Sequence, residues 1–139
     1  MIRYFNEDIR FVLKDKLVNN RWLKLVAGSE IRSIGDVNII FCSDKYILDV
    51  NLRYLHHDYY TDIITFDYCE GKKLSGDLFI SIDTVRENAL EYGVEFDDEL
   101  HRVMVHGLLH LIGYDDHTPE EEKIIHEKED YYLKLRGVV

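Results

Sequence analysis

Apolar positions along the chain change their period several times, and each change predicts an element. Residues 1–5 read as a short strand, and residues 9–13 (I-R-F-V-L) as a second extended segment with mixed alternation. Helical spacing follows over residues 14–27, with Leu17, Trp22, Leu25 and Val26 as the apolar members and Gly28 just past the end. Trp22 is expected in the core. Residues 36–42 are β-rich again, bounded by Gly35 before and Ser43-Asp44 after. Ser43 predicts the N-cap of a helix whose apolar face is Ile47, Leu48, Val50, Leu52 and Leu55. Residues 62–68 (D-I-I-T-F-D-Y) and 77–82 (D-L-F-I-S-I) form two further strands. Glu70, Gly71, Lys72 and Lys73 between them predict a hairpin and antiparallel pairing. Asp83 is the expected cap of a helix running through Tyr92 and ended by Gly93. Asp97 is the expected cap of a longer one, with Leu100, Val103, Met104, Leu108 and Leu111 as its stripe and Gly107 allowing close approach of a neighbour. The last helix opens on Thr118 as N-cap, Pro119 at the first helical position and Glu121 completing a capping box. Strands and helices interleave without repeat or linker, so the predicted class is α+β: a mixed sheet of about four strands flanked by helices, in one domain spanning residues 1–139.

Composition narrows the class without changing this picture. A length of 139 residues is enough to bury a core without staples, and 46% hydrophobic content with a single Pro excludes disordered or linker character. No apolar run approaches the roughly 18 residues of a membrane span, so no membrane partner is expected. The N-terminal residues lack the apolar centre of a signal peptide, and the expected location is the cytoplasm. Two cysteines, Cys42 and Cys69, are too few for a disulfide framework, and Cys42 is expected as a buried thiol. A formal net charge of −10 repels nucleic acid on average and argues against a general RNA- or DNA-coating protein. That charge is uneven: Arg3, Arg10, Lys14, Lys16, Arg21, Lys24 and Arg32 enrich the N-terminal part, while residues 120–130 are strongly acidic.

Chemistry concentrates in H-R-V-M-V-H-G-L-L-H-L-I-G-Y-D-D-H, residues 101–117. His106 and His110 stand at i, i+4, which puts both imidazoles on one helical face, close enough to share an ion. Gly113 supplies a helix exit, and Asp116 and His117 follow at once. A lone H-x-x-x-H is weak evidence, but two unpaired imidazoles in so apolar a stretch are costly unless ligated or hydrogen-bonded. The spacing matches the metzincin-type layout H-x-x-x-H-x-x-G-x-x-H throughout, with Asp116 in the last place. Asp116 keeps the six-residue offset from His110, whereas His117 is the commoner ligand type and needs one more residue in the turn. Three protein ligands leave a position open, the catalytic arrangement. A metalloprotease of the H-E-x-x-H type uses the Glu after the first His as its base; Gly107 stands there instead.

The stretch H-G-L-L-H-L-I-G-Y-D-D resembles the H-G-x-L-H-L-x-G-Y-D-H signature of the YbeY family, bacterial metal-dependent endoribonucleases of ribosomal RNA maturation. Thr61 to Phe66 (T-D-I-I-T-F) resembles that family's T-D-V-L-S-F strand, Gly76-Asp77-Leu78 its G-D-I strand, and Asn51 also fits. The resemblance covers most of the chain from about Ile39 onward, in the same order. It implies a small α/β sheet flanked by helices and one zinc ion held by three residues. His106 and His110 carry over as catalytic and metal-ligating residues, and Asp116, with His117 as the alternative, as the third ligand. It implies a single-strand-specific endoribonuclease acting at the 3′ end of 16S ribosomal RNA, with ribosomal RNA and small-subunit ribosomal proteins as partners and no DNA. The chain departs from the family pattern twice, with Asp116 in place of a histidine and Leu55 in place of an arginine. Arg53 is near, but a helix points it about 200° away from Leu55. His56, His57 and Asp58 read as loop residues, Tyr59 and Tyr60 as packing over the sheet, His101 as off the ligand face and His126 as solvated. Alternative readings are a metal-dependent hydrolase of another substrate, and a ribosome-associated binding module with a structural metal.

Overall fold

The computed structural model describes residues 1–56 and 61–138. The elements in chain order are β1 (Ile2–Asn6), α1 (Lys16–Ser29), β2 (Ser33–Cys42), α2 (Asp44–Leu55), β3 (Ile63–Asp67), β4 (Lys73–Ser81), α3 (Ile82–Tyr92), α4 (Phe96–Ile112) and α5 (Pro119–Arg136). The four-stranded sheet has the order β1-β2-β4-β3. β1 and β4 run parallel to β2, with Ile2 opposite Val37 and Ile39 opposite Leu78, while β3 pairs antiparallel with β4, Ile64 opposite Phe79. The sheet is therefore mixed and flanked by helices, as the interleaved pattern predicts.

Period-two alternation divides the sheet's side chains between two cores. Val37, Ile39, Phe41, Leu74, Leu78 and Ile80 pack with Trp22, Val26, Met104 and Leu108 in the larger one, beneath α1 and α4. Cys42 and Ile64 pack with Ile47 and Val50 of α2 in the smaller. Each such fully buried aliphatic side chain stabilises the fold by roughly 1.5–3 kcal/mol. α4 is buried on nearly every side and lies against β3 and β4, which fixes its two histidines relative to the sheet. α5 closes over α4 and α1, where Trp22 Nε1 donates to the Tyr132 carbonyl at 2.7 Å. Cys42 is a buried thiol and Cys69 is also unbridged. Among the described residues no helix is long and apolar enough to cross a membrane.

Several local expectations are corrected. Residues 9–13 form no strand: Asn6 Nδ2 donates to the Phe11 carbonyl and turns the chain, so that Phe11 packs edge-on against Phe41 at 4.9 Å. Leu17 and Leu25 are exposed, because the buried stripe of α1 is Asn19, Trp22, Leu23, Val26 and Ala27. In α2 the buried face is Ile47, Val50 and Asn51, leaving Leu52 and Leu55 outside the core. Ser81 rather than Asp83 caps α3, accepting from the Thr84 N–H, and α4 starts at Phe96 with Asp97 inside its first turn. β4 begins at Lys73, four residues before the alternation becomes legible. Ser43 and the Thr118–Glu121 capping box behave as predicted.

Candidate metal centre

One turn of α4 separates His106 from His110, and their rings meet edge to face with Nε2 atoms 2.9 Å apart. Gly113 ends the helix at φ +123°, a backbone conformation that favours glycine, and its N–H bonds the carbonyls of Leu109 and His110. The chain then folds back over the histidine face. Asp116 Oδ2 arrives 3.3 Å from His106 Nε2 and 3.5 Å from His110 Nε2. One donor atom from each of the three residues lies within 4.8 Å of the other two, an arrangement that can hold a metal ion. Two imidazole nitrogens and a carboxylate oxygen are an accepted donor set for zinc, and three protein ligands leave a position open. The return loop is held at both ends. Tyr114 donates its hydroxyl to Glu30 at 2.5 Å, and the Thr118 capping box fixes the start of α5.

Behind the histidines lies a buried carboxylate. Glu129 of α5 is 1% exposed, and its Oε2 stands 2.6 Å from His106 Nδ1. Its Oε1 accepts from Arg102 Nη1 at 2.9 Å and faces His126 Nδ1 at 3.2 Å. Burial disfavours the charged His106 ring, yet the hydrogen bond and charge of Glu129, with Asp62 and Asp116, outweigh it and raise the pKa. His110 moves the other way, lowered by burial and then by the His106 charge. Glu129 is also a net result: burial pushes it up, and its bonds to His106 and Arg102 bring it below the ordinary carboxylate range. Asp62 is raised by burial, partly offset by His106.

The open side of the trio faces a cleft of about 540 Å³ walled by Asn51, Leu55, Thr61, Thr65, Asp115 and His117. His117 is exposed at this cleft and stands outside the trio, whereas Asp116 is inside it. Leu55 lines the cleft, while Arg53 is engaged with Asp49 at 3.2 Å. Among the described residues no lysine or arginine lines it. His56 caps α2 in the left-handed conformation; His57, Asp58, Tyr59 and Tyr60 lie outside the described residues. His101 is off the ligand face, edge-on to Trp22 at 6.0 Å. His126 is mostly exposed but also touches Glu129, so it is not simply solvated. Asp62, Arg102 and Glu129 were missed by sequence reasoning. A signal for Glu129 exists: it occupies a core position in the Ile125, Glu129, Tyr132 stripe of an otherwise acidic helix.

Comparison with known proteins follows the same residues. The family described as Endoribonuclease YbeY matches residues 6–137. The Endoribonuclease YbeY of Bacteroides thetaiotaomicron is 51% identical over 135 residues, covering 97% of this chain and 98% of the relative. That of Cytophaga hutchinsonii is 50% identical, covering 97% and 95%. The solution structure of TM1509 from Thermotoga maritima shares the fold at a TM-score of 0.70 with 30% identity, over 98% of this chain and 89% of that one. The matched span takes in the α4 histidines, the return loop and the strands beside them, and the chain belongs to the Endoribonuclease YbeY family.

Proposed function

We propose that this chain is a zinc-dependent, single-strand-specific endoribonuclease that matures the 3′ end of 16S ribosomal RNA. It works in the cytoplasm, as one domain spanning residues 1–139, on ribosomal RNA assembled with small-subunit proteins. The observation that carries this reading is the convergence of His106, His110 and Asp116 at the mouth of an open cleft, in a chain of an endoribonuclease family. These three residues would hold the ion, with His117 at the rim rather than among the ligands. When bound, zinc supplies Lewis acidity and positive charge for phosphodiester hydrolysis. Asn51, Thr61 and Thr65 bring polar groups to the wall against which a strand would lie. A cleft of about 540 Å³ matches a small-ligand pocket in size and can take the splayed bases of a short unpaired segment. Asp62, Asp67 and Asp115, which also line the cleft, disfavour the dense phosphates of a double helix.

The test is cleavage of single-stranded and duplex RNA by zinc-loaded protein freed of contaminating nuclease. Single strands should be cut, chelation should stop the reaction, and His110→Ala should abolish it. Zinc-loaded protein that cuts nothing would sink the proposal. A second reading, a ribosome-associated binding module with a structural metal, is favoured by one observation: no described lysine or arginine lines the cleft. Under that reading chelation lowers the melting temperature and leaves RNA association unchanged.

A further inference from the structure

We propose that Glu129 is a positioning residue that fixes the His106 ring with its proton on Nδ1, leaving Nε2 as a lone-pair donor toward the metal. This rests on the reading above that His106, His110 and Asp116 hold an ion.

The geometry gives the two carboxylate oxygens separate tasks. Oε1 faces Arg102 Nη1 at 2.9 Å and His126 Nδ1 at 3.2 Å, whereas Oε2 faces His106 Nδ1 at 2.6 Å. Arg102 places its other terminal nitrogen 2.7 Å from Asp130, so its guanidinium plane is held from two points on α5. An ionised carboxylate accepts hydrogen bonds and donates none, so the proton in the Glu129–His106 contact belongs to Nδ1. Nε2 then faces His110 Nε2 and Asp116 Oδ2 with its lone pair. A metal-bound histidine whose second nitrogen donates to a carboxylate is oriented, fixed in tautomer and made more basic by it.

Packing alone does not explain a glutamate here. Position 129 lies on the buried stripe of α5 between Ile125 and Tyr132, where an apolar side chain avoids the desolvation of a carboxylate. The chain buries that carboxylate and surrounds it with three partners, one of them a histidine of the trio. α5 thereby reaches the metal centre from behind, and its docking on α4 sets the ring orientation. The return loop reaches the other ring through Asp116, whose Oδ2 lies 3.5 Å from His110 Nε2.

The experiment uses the full chain as wild type, Glu129→Gln and His106→Ala. Zinc affinity is read by competition with a chromophoric chelator, folding by circular dichroism, and the ring nitrogens by NMR of the zinc-loaded, ¹⁵N-histidine-labelled wild type. Glu129→Gln should keep the native spectrum and bind zinc about 10–100-fold more weakly. His106 Nδ1 should carry an exchange-protected proton in the wild type. Zinc affinity within about twofold of wild type in Glu129→Gln, with His106→Ala having lost binding, would overturn the proposal and leave the metal site standing. Undiminished binding by His106→Ala would instead overturn the ligand assignment, and this proposal with it. If Glu129→Gln does not fold, the wild-type spectrum decides: a proton on Nδ1 supports the proposal, and zinc on Nδ1 refutes it.

Discussion

A β-carbon at position 107 would lie 2.6 Å from Ile63 Cδ1 and 3.0 Å from Leu78 Cδ1. Gly107 therefore faces the sheet, and a carboxylate there would push into β3 and β4 instead of reaching the cleft beside His106 and His110. The missing protease base is thus a consequence of how α4 sits, as well as of one residue choice. Gly76 is tighter still, since a β-carbon there would meet the Phe66 carbonyl at 2.4 Å, a backbone atom with little freedom to yield. His101 shows what burial does to a histidine with no metal role. Loss of solvent, and then the charge of Arg136, lowers its pKa from 6.5 to about 4, against the opposing pull of Asp97, Asp98 and Asp15. The unfolded chain binds that proton more readily than the fold does. Its contribution is complete above pH 6.5 and is lost as pH falls through about 4. Between about pH 7 and about pH 4.5, wild type should lose roughly 1–2 kcal/mol more stability than His101→Phe, after allowance for partial exposure. Urea unfolding at the two pH values measures this; identical losses would remove His101 as a source of acid sensitivity.

The element that makes the centre is neither helix alone but the unit α4, return loop and α5. Its geometry depends on Glu30, at the end of α1, which accepts from Tyr114, Tyr132 and Lys128 and so ties both the loop and α5 to one carboxylate. Tyr114→Phe removes one of these bonds without changing shape. It should cost about 1 kcal/mol of stability and weaken zinc binding severalfold, because Asp116 is two residues further along the loosened loop. Denaturant midpoints together with zinc titration test this, and a stability loss with unaltered zinc affinity would show that the loop is positioned by other contacts. Much of this unit was legible beforehand: the i, i+4 histidines, the Gly113 exit and the capping box are all local signals. Contacts between elements were not. Glu129 is concealed by the acids around it, and Asn19 interrupts the buried stripe of α1 with a polar residue, so the apolar spacing points to Leu17 and Leu25, which the fold leaves exposed. The first half of β4 is hidden because Ser75 and Gly76 break the apolar alternation, where a bulge in β2 between Ile34 and Val37 also shifts the register before parallel pairing resumes at Gly76. Residues 9–13 read as extended because their composition suits a strand, while side-chain contacts with β1 and β2 decide otherwise.

At the scale of the whole molecule the net charge of −10 and the cleft agree in sign. Asp62, Asp67, Asp115 and Asp116 line the cleft, and among the described residues it has no lysine or arginine to answer a phosphate. Arg53, the nearest cation in sequence, is occupied by Asp49 on the other side of α2. Leu55, the last residue of that helix, lines the cleft itself. An arginine there would bring a guanidinium to the cleft that Leu55 shares with Thr61, Thr65 and the His106, His110 and Asp116 trio. Each added phosphate contact by a cation steepens the salt dependence of nucleic-acid binding by about one unit of slope, or somewhat less on single strands. Leu55→Arg should therefore tighten single-stranded RNA binding about tenfold at low salt, with much of the gain lost by about 200 mM. Fluorescence anisotropy across a salt series, in a His110→Ala background that prevents cleavage, gives both quantities. An unchanged slope would mean that the strand's phosphates do not pass Leu55, and that the acidic cleft meets RNA through its bases and riboses instead. A steeper slope with tighter binding would show that the strand's phosphates pass this position and that the lack of a cation there limits RNA affinity.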